Sequence, residues 1–237
     1  MEPILEEMIP QLDFRSMGFI ADLEVVFQEN SQSENALAMS KYMKNNFAFF
    51  GIKTTERRQI FKEVWKANKE EVAKNAREIA IALYAKDQRE FHYCAIEILI
   101  KDLKGKYKQK DIDLIEKLLT LNSWWDSVDT ISKNILGEYL LEFPESIVET
   151  STRFSNSENM WLNRSAILFQ LGYKEKTDFD LLKTICSQHK ASSEFFIQKA
   201  IGWSLREYAK TNREAVKIFV ADSDLQRLSR KEALKNL

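Results

Sequence analysis

The sequence predicts an all-α fold, and two features of its composition support that prediction. Only six Gly and three Pro occur among 237 residues, so helix breakers and tight-turn residues are scarce. Ala, Leu, Glu and Lys dominate the rest of the chain, which favours helices joined by short connections. Because 44% of the residues are hydrophobic, a chain of this length can bury a substantial core.

An internal repeat narrows the prediction to a HEAT-like repeat α-solenoid. Apolar residues four apart recur at the second helix of each predicted pair, with intervals of 33, 38 and 34 residues between copies. Helix pairs that repeat at such intervals stack into a curved array with a concave face. No linker interrupts the pattern, so we expect a single domain covering residues 1–237. The copies begin at Phe91, Trp124, Leu162 and Phe196.

Charge and hydropathy limit the possible partners and location. The net charge is −1, with 35 basic against 36 acidic residues, so any polyanion must be met by a local patch. No apolar run approaches the roughly 18 residues of a membrane helix. The N-terminus Met1-Glu2-Pro3 lacks the basic start of a signal peptide. These features predict a cytoplasmic protein, and we expect it to be a monomer.

The chain has too few histidines and cysteines to favour a metal site or a histidine-based catalytic site. With His92 and His189 as the only histidines, a multi-histidine metal site or a histidine triad is not expected. Cys94 and Cys186 lie far apart on helix-patterned segments, which indicates structural burial. We therefore predict neither a metal nor a cofactor.

Several helix ends are predicted from local patterns. One or two helices are expected from residue 2 to about residue 30, with a joint at Met17-Gly18. Thr54 is the expected cap of the helix that begins at Thr55, and a basic helix over 229–237 is expected to close the chain.

The stretch 123–129, Ser-Trp-Trp-Asp-Ser-Val-Asp, holds two indoles and two carboxylates within two helical turns. Ser123, with Asp126 three residues later, has the form of a capping box, which predicts a helix starting here. Helical periodicity places Trp124 with Val128 on one face, interpreted as core. It places Trp125 with Asp129 on another, where an aromatic ring beside an anion suits a cationic ligand.

Two basic segments could meet phosphate. Arg58, Lys62 and Lys66 are four residues apart and form a stripe along one helix, although a solvated face balanced by Glu56 and Glu63 explains them as well. Five lysines between residues 101 and 110 fit no single helix face and indicate a loop around Gly105.

Two further residues continue the 123–129 stretch at equal spacing. Arg164 follows Trp125 by 39 residues, and Trp203 follows Arg164 by 39. Equivalent positions in a solenoid stack side by side, so Trp125, Asp129, Arg164 and Trp203 could line one patch. Taken singly, each has an ordinary explanation, namely a core Trp, a solvated Asp or an exposed Arg. We expect Arg164 to lie outside the core, so that Arg164→Ala leaves the fold intact.

Several stretches together carry a resemblance to a known family, namely residues 42–45, 49–52 with 56–58, 123–129, 161–164 with 166–170, and 195–203 with 205–210. Through them, most of the chain from about residue 35 resembles the AlkD-like alkylpurine DNA glycosylases, whereas the first 30 residues match poorly. At Thr55 that family usually has Pro.

This resemblance implies a HEAT-like solenoid whose concave, basic face holds duplex DNA. It implies hydrolysis of the N-glycosidic bond of cationic N3- or N7-alkylated purines, without extrusion of the damaged base into a pocket. Asp129 would be the catalytic carboxylate, flanked by Trp125 and Trp203, and Arg164 would hold a phosphate. The DNA-binding residues expected in all are Arg164, Arg206, Lys199, Arg58 and Lys62.

Elementary chemistry agrees with that expectation. A purine alkylated at N3 or N7 is already cationic and can leave without a general acid, so the shortage of histidine is no obstacle. A fixed carboxylate can stabilise the oxocarbenium-like sugar that remains. Two alternatives stay open: a HEAT-type scaffold that binds a protein partner, and a non-catalytic relative that binds DNA structures.

Overall fold

The computed structural model describes residues 18–235 of the chain. In this range the chain forms helices and connecting turns, and its one β feature is an isolated bridge between Ala48 and Gln88. The all-α prediction is confirmed. The predicted helical region between residue 2 and Met17 lies outside the described residues.

The chain divides into two compact units, Met1–Asp102 and Leu103–Leu237. The expectation of one domain therefore stays a prediction, and the units are described separately. In the first unit α1 packs on α3, with Phe19 against Phe61, and α5 packs on α6. Its described helices are α1 Gly18–Glu29, α2 Ser33–Tyr42, α3 Thr54–Ala67, α4 Lys69–Lys74, α5 Ala76–Tyr84 and α6 Arg89–Asp102.

A buried carboxylate shapes the loop before α3. Glu90 accepts hydrogen bonds from the backbone N–H groups of Phe50, Gly51 and Ile52 at 2.9 to 3.2 Å. Burial raises the pKa of Glu90, and these backbone bonds oppose the rise. Gly51 has φ +89°, and a Cβ there would lie 2.1 Å from the Gln32 carbonyl oxygen, so glycine is required.

The second unit contains the 123–129 stretch and most of the repeats. In this unit α7 packs on α8, and α10 packs on α11. Helix α11 also packs on α8 and α13, and α13 packs on α15. Its helices are α7 Asp111–Thr120, α8 Trp125–Ile131, α9 Gly137–Glu142, α10 Ile147–Ser155, α11 Met160–Leu168, α12 Phe179–Gln188, α13 Phe195–Tyr208, α14 Arg213–Asp222 and α15 Arg227–Ala233.

The repeated apolar positions serve the cores of these units. The second residue of every copy is fully buried, whereas two of the first residues, Trp124 and Phe196, are only partly buried. The repeat thus marks the core at its second position. The buried second residues are Ala95, Val128, Ala166 and Ala200.

Two predicted helix starts are wrong. Helix α8 begins at Trp125 with Trp124 as its N-cap residue, and the Ser123 hydroxyl bonds the Leu119 carbonyl of the preceding helix instead. Helix α3 includes Thr54, with Lys53 in the capping position. At α8 the cap is lost because the preceding helix offers the Ser123 hydroxyl another acceptor. At α3 the helix simply starts one residue earlier than predicted. The closing basic helix begins at Arg227, two residues earlier than expected.

Helix α8 continues into α9 through a π-helical turn, Ser132–Leu136. The Gly137 N–H bonds the Ser132 carbonyl five residues back, which is the π-helical pattern. A Cβ at Gly137 would lie 2.5 Å from the Phe169 carbonyl oxygen. The glycine therefore lets the helix that carries Asp129 approach the end of α11 closely.

Three smaller expectations can be compared with the structure. The lysine-rich segment does turn at Gly105, where the N–H groups of Gly105 and Tyr107 bond the Glu142 carboxylate. Cys94 and Cys186 are buried as expected, and burial raises the pKa of each thiol to about 12. Between residues 18 and 235 no helix is both long and apolar enough to cross a bilayer.

Candidate functional site

The centre of the candidate site is an ion pair between α8 and α11. The Arg164 guanidinium donates from Nε to Asp129 Oδ1 at 2.7 Å and from Nη2 to Oδ2 at 2.9 Å. Such a parallel, bidentate pair fixes the orientation of both groups. The structure thus joins two residues that are 35 positions apart in sequence and that were both predicted as site residues.

The pair is largely withdrawn from solvent. The side chains of Asp129 and Arg164 are 15% and 5% exposed. Burial raises the pKa of Asp129, while the hydrogen bonds and charge of Arg164 oppose that rise and the nearby Asp126 adds to it. The expectation that Arg164 lies outside the core is wrong. The Arg164 side chain is buried because its carboxylate partner, Asp129, offsets the free-energy cost of removing the guanidinium from water.

A third bond connects the pair to another helix. Arg164 also donates from Nη1 to the backbone carbonyl of Phe196, near the start of α13. These bonds occupy three of the five N–H groups of a guanidinium. Arg164 therefore ties α8, α11 and α13 together at the point where the sequence placed the site.

An aromatic cluster, defined as Trp124, Trp161, Phe195 and Phe196, lies beside the ion pair. Its ring centroids are 5.1 to 5.8 Å apart, and the Arg164 guanidinium lies 5.9 Å from the Phe196 ring. Phe195 is 57% exposed. Among the described residues, Nε1 of Trp124 is buried without a hydrogen-bond partner. The interpretation of Trp124 as simple core is therefore wrong, because its ring belongs to a partly exposed aromatic surface.

The two indoles proposed as flanking groups are both partly exposed. Trp125 opens α8 and precedes Asp129 by four residues, so one helical face carries both. Trp203 lies on α13, seven residues after Phe196, and this spacing returns it to the same side of the helix. Of the four residues predicted to form a patch, Asp129 and Arg164 are directly bonded to each other. Trp125 shares α8 with Asp129, whereas Trp203 lies two helical turns along α13 from Phe196, whose carbonyl bonds Arg164. That the two indoles join the patch stays a prediction.

Two predicted DNA-binding cations are paired with one carboxylate. Lys199 Nζ and Arg206 Nη1 lie 2.9 and 2.7 Å from the Glu232 carboxylate on α15. Hydrogen bonds from Arg206 and Lys199 hold the pKa of Glu232 down at about 2. Between them, a Cβ at Gly202 would lie 2.3 Å from the Glu232 Cβ, so α15 sits directly on this face of α13. A phosphate would have to compete with Glu232 for these cations.

The cations predicted in the first unit differ from each other. Arg58 Nε lies 3.1 Å from Glu97, although its side chain remains 63% exposed. Lys62 is exposed on the same helix. The neighbouring Arg57 is buried and bonds the same carboxylate at 2.7 Å. Lys66, the third member of the stripe, is exposed as well, so the stripe contains one paired and two exposed cations.

Comparison with known proteins assigns the chain to a family. The sequence profile of the DNA alkylation repair enzymes matches residues 23–237. This protein belongs to the DNA alkylation repair enzyme family. Its role in DNA repair follows from that membership.

Solved structures agree with this repair family. A structure described as a predicted DNA alkylation repair enzyme from Enterococcus faecalis is 33% identical and has a TM-score of 0.80, over 87% of this chain and 96% of that chain. The smu.31 protein of Streptococcus mutans UA159 has a TM-score of 0.56 at 15% identity, over 76% and 97% of the two chains, and bears on the fold alone. No curated protein matches the sequence. The helical repeat fold predicted from the sequence is confirmed, and its concave basic face stays a prediction.

Some parts of the repair enzyme's site were missed by sequence reasoning. Trp161 and Phe196 were noticed only as parts of a motif, although Trp161 precedes Arg164 by one helical turn. The Phe196 carbonyl gave no signal, since any residue type offers a backbone oxygen. Glu232 gave none either, because it lies in a segment interpreted only as a basic closing helix. Within residues 18–235, no three His, Cys, Asp or Glu side chains are grouped so that they could hold a metal ion.

Proposed function

We propose that this repair enzyme is a DNA-alkylpurine N-glycosylase. Its substrate would be duplex DNA carrying a cationic N3- or N7-alkylated purine, and its products the free base and an abasic site, without extrusion of the base. The observation that carries the proposal is the Asp129 carboxylate, held by a bidentate Arg164 in a largely buried position, with the partly exposed Trp125 one helical turn away on the same face of α8.

The proposed reaction needs no acid on the enzyme. When the C1′–N9 bond breaks, its electron pair moves to the alkylated purine, which leaves as a neutral base. The sugar becomes an oxocarbenium-like cation. Water then adds to C1′ and gives up a proton, so hydrolysis needs a group that stabilises positive charge and can accept that proton.

Asp129 has the properties required for both tasks. Its carboxylate is withdrawn from water, so its attraction for a nearby cation is screened less than on an exposed surface. Burial raises its pKa, which makes it a better proton acceptor than an exposed Asp, while Arg164 favours its ionised form. Asp129 would therefore stabilise the sugar cation, accept the proton of the attacking water and release it to solvent.

The remaining predicted residues would position the substrate. Trp125 and Trp203 are partly exposed and could offer their ring faces to the cationic nucleotide, with a gain of about 0.5 to 2 kcal/mol each. Arg164 uses three N–H groups inside the protein, so its first task would be to orient Asp129. A phosphate contact would use the remaining two.

The experiment compares cationic with neutral lesions. Purified protein is incubated with duplexes containing N7-methylguanine, N3-methyladenine or the neutral lesion hypoxanthine, and released bases are quantified by chromatography. We expect release of both methylated purines and little release of hypoxanthine, because a neutral base lacks the leaving-group advantage. Asp129→Asn serves as the inactive control.

Other results would favour the alternatives. Salt-dependent binding to duplex DNA with no release of any base would support a relative that binds DNA without cutting it. Absence of salt-dependent DNA binding would support a scaffold for a protein partner. Release by Asp129→Asn at the wild-type rate would reject Asp129 as the catalytic residue.

A further inference from the structure

The ion pair depends on two helices holding a fixed axial position, and a buried hydroxyl pair connects them. Ser132 lies one helical turn after Asp129, and Ser165 directly follows Arg164. Their Oγ atoms are 2.9 Å apart, and both residues are 0% exposed. This bond joins the start of the π-helical turn that follows α8 to α11, one helical turn from Asp129 and next to Arg164 in sequence.

Each hydroxyl also has an acceptor in its own helix. Ser132 Oγ lies 2.6 Å from the Val128 carbonyl oxygen, and Ser165 Oγ lies 2.7 Å from the Trp161 carbonyl oxygen. A serine hydroxyl has one proton, so two protons serve three contacts. Either serine can donate to the other while the acceptor donates to its own carbonyl. The bond between helices is kept in both arrangements.

Buried apolar residues flank both serines in sequence, which makes the presence of the hydroxyls informative. Val128, Ile131 and Ala166 are each no more than 1% exposed. Small apolar residues would fill such positions without needing any partner, whereas a buried hydroxyl costs stability unless it is bonded. A satisfied polar contact inside a core favours one packing arrangement over others.

We infer that Ser132 and Ser165 are positioning residues, which set the axial position of α8 against α11 so that both oxygens of Asp129 meet Arg164. The predicted effect of these serines on base release rests on the proposed function. The π-helical turn begins at Ser132, so the backbone leaves α-helical geometry at the residue that makes the contact. Without the hydroxyl bond, a slide of one helix along the other would separate the bidentate contacts first, because they tolerate the least displacement.

The structure allows a clean test by single substitutions. In Ser132→Ala the remaining Ser165 hydroxyl still bonds the Trp161 carbonyl, and in Ser165→Ala the Ser132 hydroxyl still bonds the Val128 carbonyl. No buried hydroxyl is stranded, so both variants should fold. A matched control is Ser151→Ala, since Ser151 is also a buried serine of this unit, and its hydroxyl bonds the Val148 carbonyl within α10.

Two readouts are measured on wild type, both single variants, the double variant and the control. The first is the single-turnover rate of N7-methylguanine release, with the dissociation constant for DNA measured separately. We expect the rate to fall about tenfold in each variant that lacks the hydroxyl bond, with little change in DNA affinity, because misplacement of a catalytic group affects the chemical step. The double variant should fall no further than either single one.

The second readout is the Asp129 carboxyl titration followed by carbon-detected NMR, which needs no enzymatic activity. A looser contact with Arg164 should raise the Asp129 pKa above its wild-type value in all three variants and leave it unchanged in Ser151→Ala. Wild-type rate and wild-type titration in the serine variants would overturn the inference. If wild type releases no base, the proposed function fails, and the titration alone still decides whether the serines position the pair.

Discussion

Two ion pairs in this chain use the same chemistry in different surroundings. In the first unit Glu97 is bonded by Arg57 and also by Arg58, and these arginines hold the pKa of Glu97 below its ordinary value despite its partial burial. In the second unit Asp129 has Arg164 as its arginine partner, and burial raises its pKa. An Arg–carboxylate contact therefore does not by itself indicate how a carboxylate behaves.

The difference separates a structural contact from the contact that we propose for catalysis. A carboxylate with two arginines is fixed in its ionised form and serves as an anchor between α3 and α6. A carboxylate with one arginine and near a second acid, Asp126, keeps a stronger tendency to accept a proton. Perturbed acids of the second kind are the ones expected at active sites.

The comparison is tested most severely by neutralising each carboxylate. Asp129→Asn should lower the rate of N7-methylguanine release by about 100- to 1,000-fold, because the group proposed to face the sugar cation loses its charge. Glu97→Gln should keep the rate within about twofold, since Glu97 is the anchor. Single-turnover assays on both variants provide the measurement. Equal losses in the two variants would show that the pairs do not differ in function.

Removing the arginines should affect stability unequally. Arg164→Ala leaves a mostly buried carboxylate without its bidentate partner and should cost about 3 kcal/mol of unfolding free energy. Arg57→Ala should cost less, because Glu97 keeps Arg58. Urea denaturation of both variants gives the two values. An Arg164→Ala protein as stable as wild type would contradict the inference that this arginine is part of the packed structure.

The pH dependence of stability should have opposite signs at the two carboxylates. The folded-state pKa of Asp129 lies above its ordinary value of 3.8, so its contribution is fully present below that value and is lost as pH rises through the raised pKa. The folded-state pKa of Glu97 lies below its ordinary value of 4.5, so its contribution is present above that value and is lost as pH falls through the lowered pKa.

Urea unfolding from about pH 3 to about pH 6 checks these signs. The stability of wild type relative to Asp129→Asn should decrease as pH rises, whereas its stability relative to Glu97→Gln should increase. The test is the slope of each stability difference against pH, because each substitution also changes the free energy of unfolding by an amount that does not depend on pH. Two slopes of the same sign would mean that the two surroundings do not differ as described.

The smallest expected effect concerns the exposed cations of α3. If Lys62 meets a phosphate, Lys62→Ala should reduce the slope of log K against log salt by about 0.9, because one fewer counterion is released. Titrations of duplex DNA at several salt concentrations measure this slope. An unchanged slope would leave Lys62 as part of a solvated helix face, the other interpretation of the stripe.

Much of the architecture was accessible from the sequence, and the reasons are specific. Scarcity of glycine and proline predicted an all-helical chain, and the buried second position of each repeat reflects a periodic core. Equal spacing brought Arg164 into the same group as Asp129, and the structure bonds the two directly. These predictions succeeded for one reason: the spacing of residues along the chain determines which of them share a helix face and which occupy equivalent positions in successive repeats.

What the sequence did not predict depends on contacts across the chain. Ser123 had the pattern of a cap, yet its hydroxyl bonds the preceding helix. The burial of Arg164 depends on a partner 35 residues away, and the pairing of Lys199 and Arg206 depends on Glu232 in another helix. A local pattern carries no information about which of several possible acceptors a donor will meet in the folded protein.

The π-helical turn after Asp129 has a consequence for changes in chain length. Because Gly137 bonds five residues back, this turn accommodates one residue more than regular α-helix would. A residue lost from 132–136 can therefore be absorbed by a return to regular α-helix, which keeps Gly137 in its close contact with the Phe169 carbonyl oxygen. A residue added within the regular part of α9 has no such turn to absorb it and would rotate the residues that follow by about 100°, the angle of one helical position. Tolerance of a length change in this helix is therefore concentrated at 132–136.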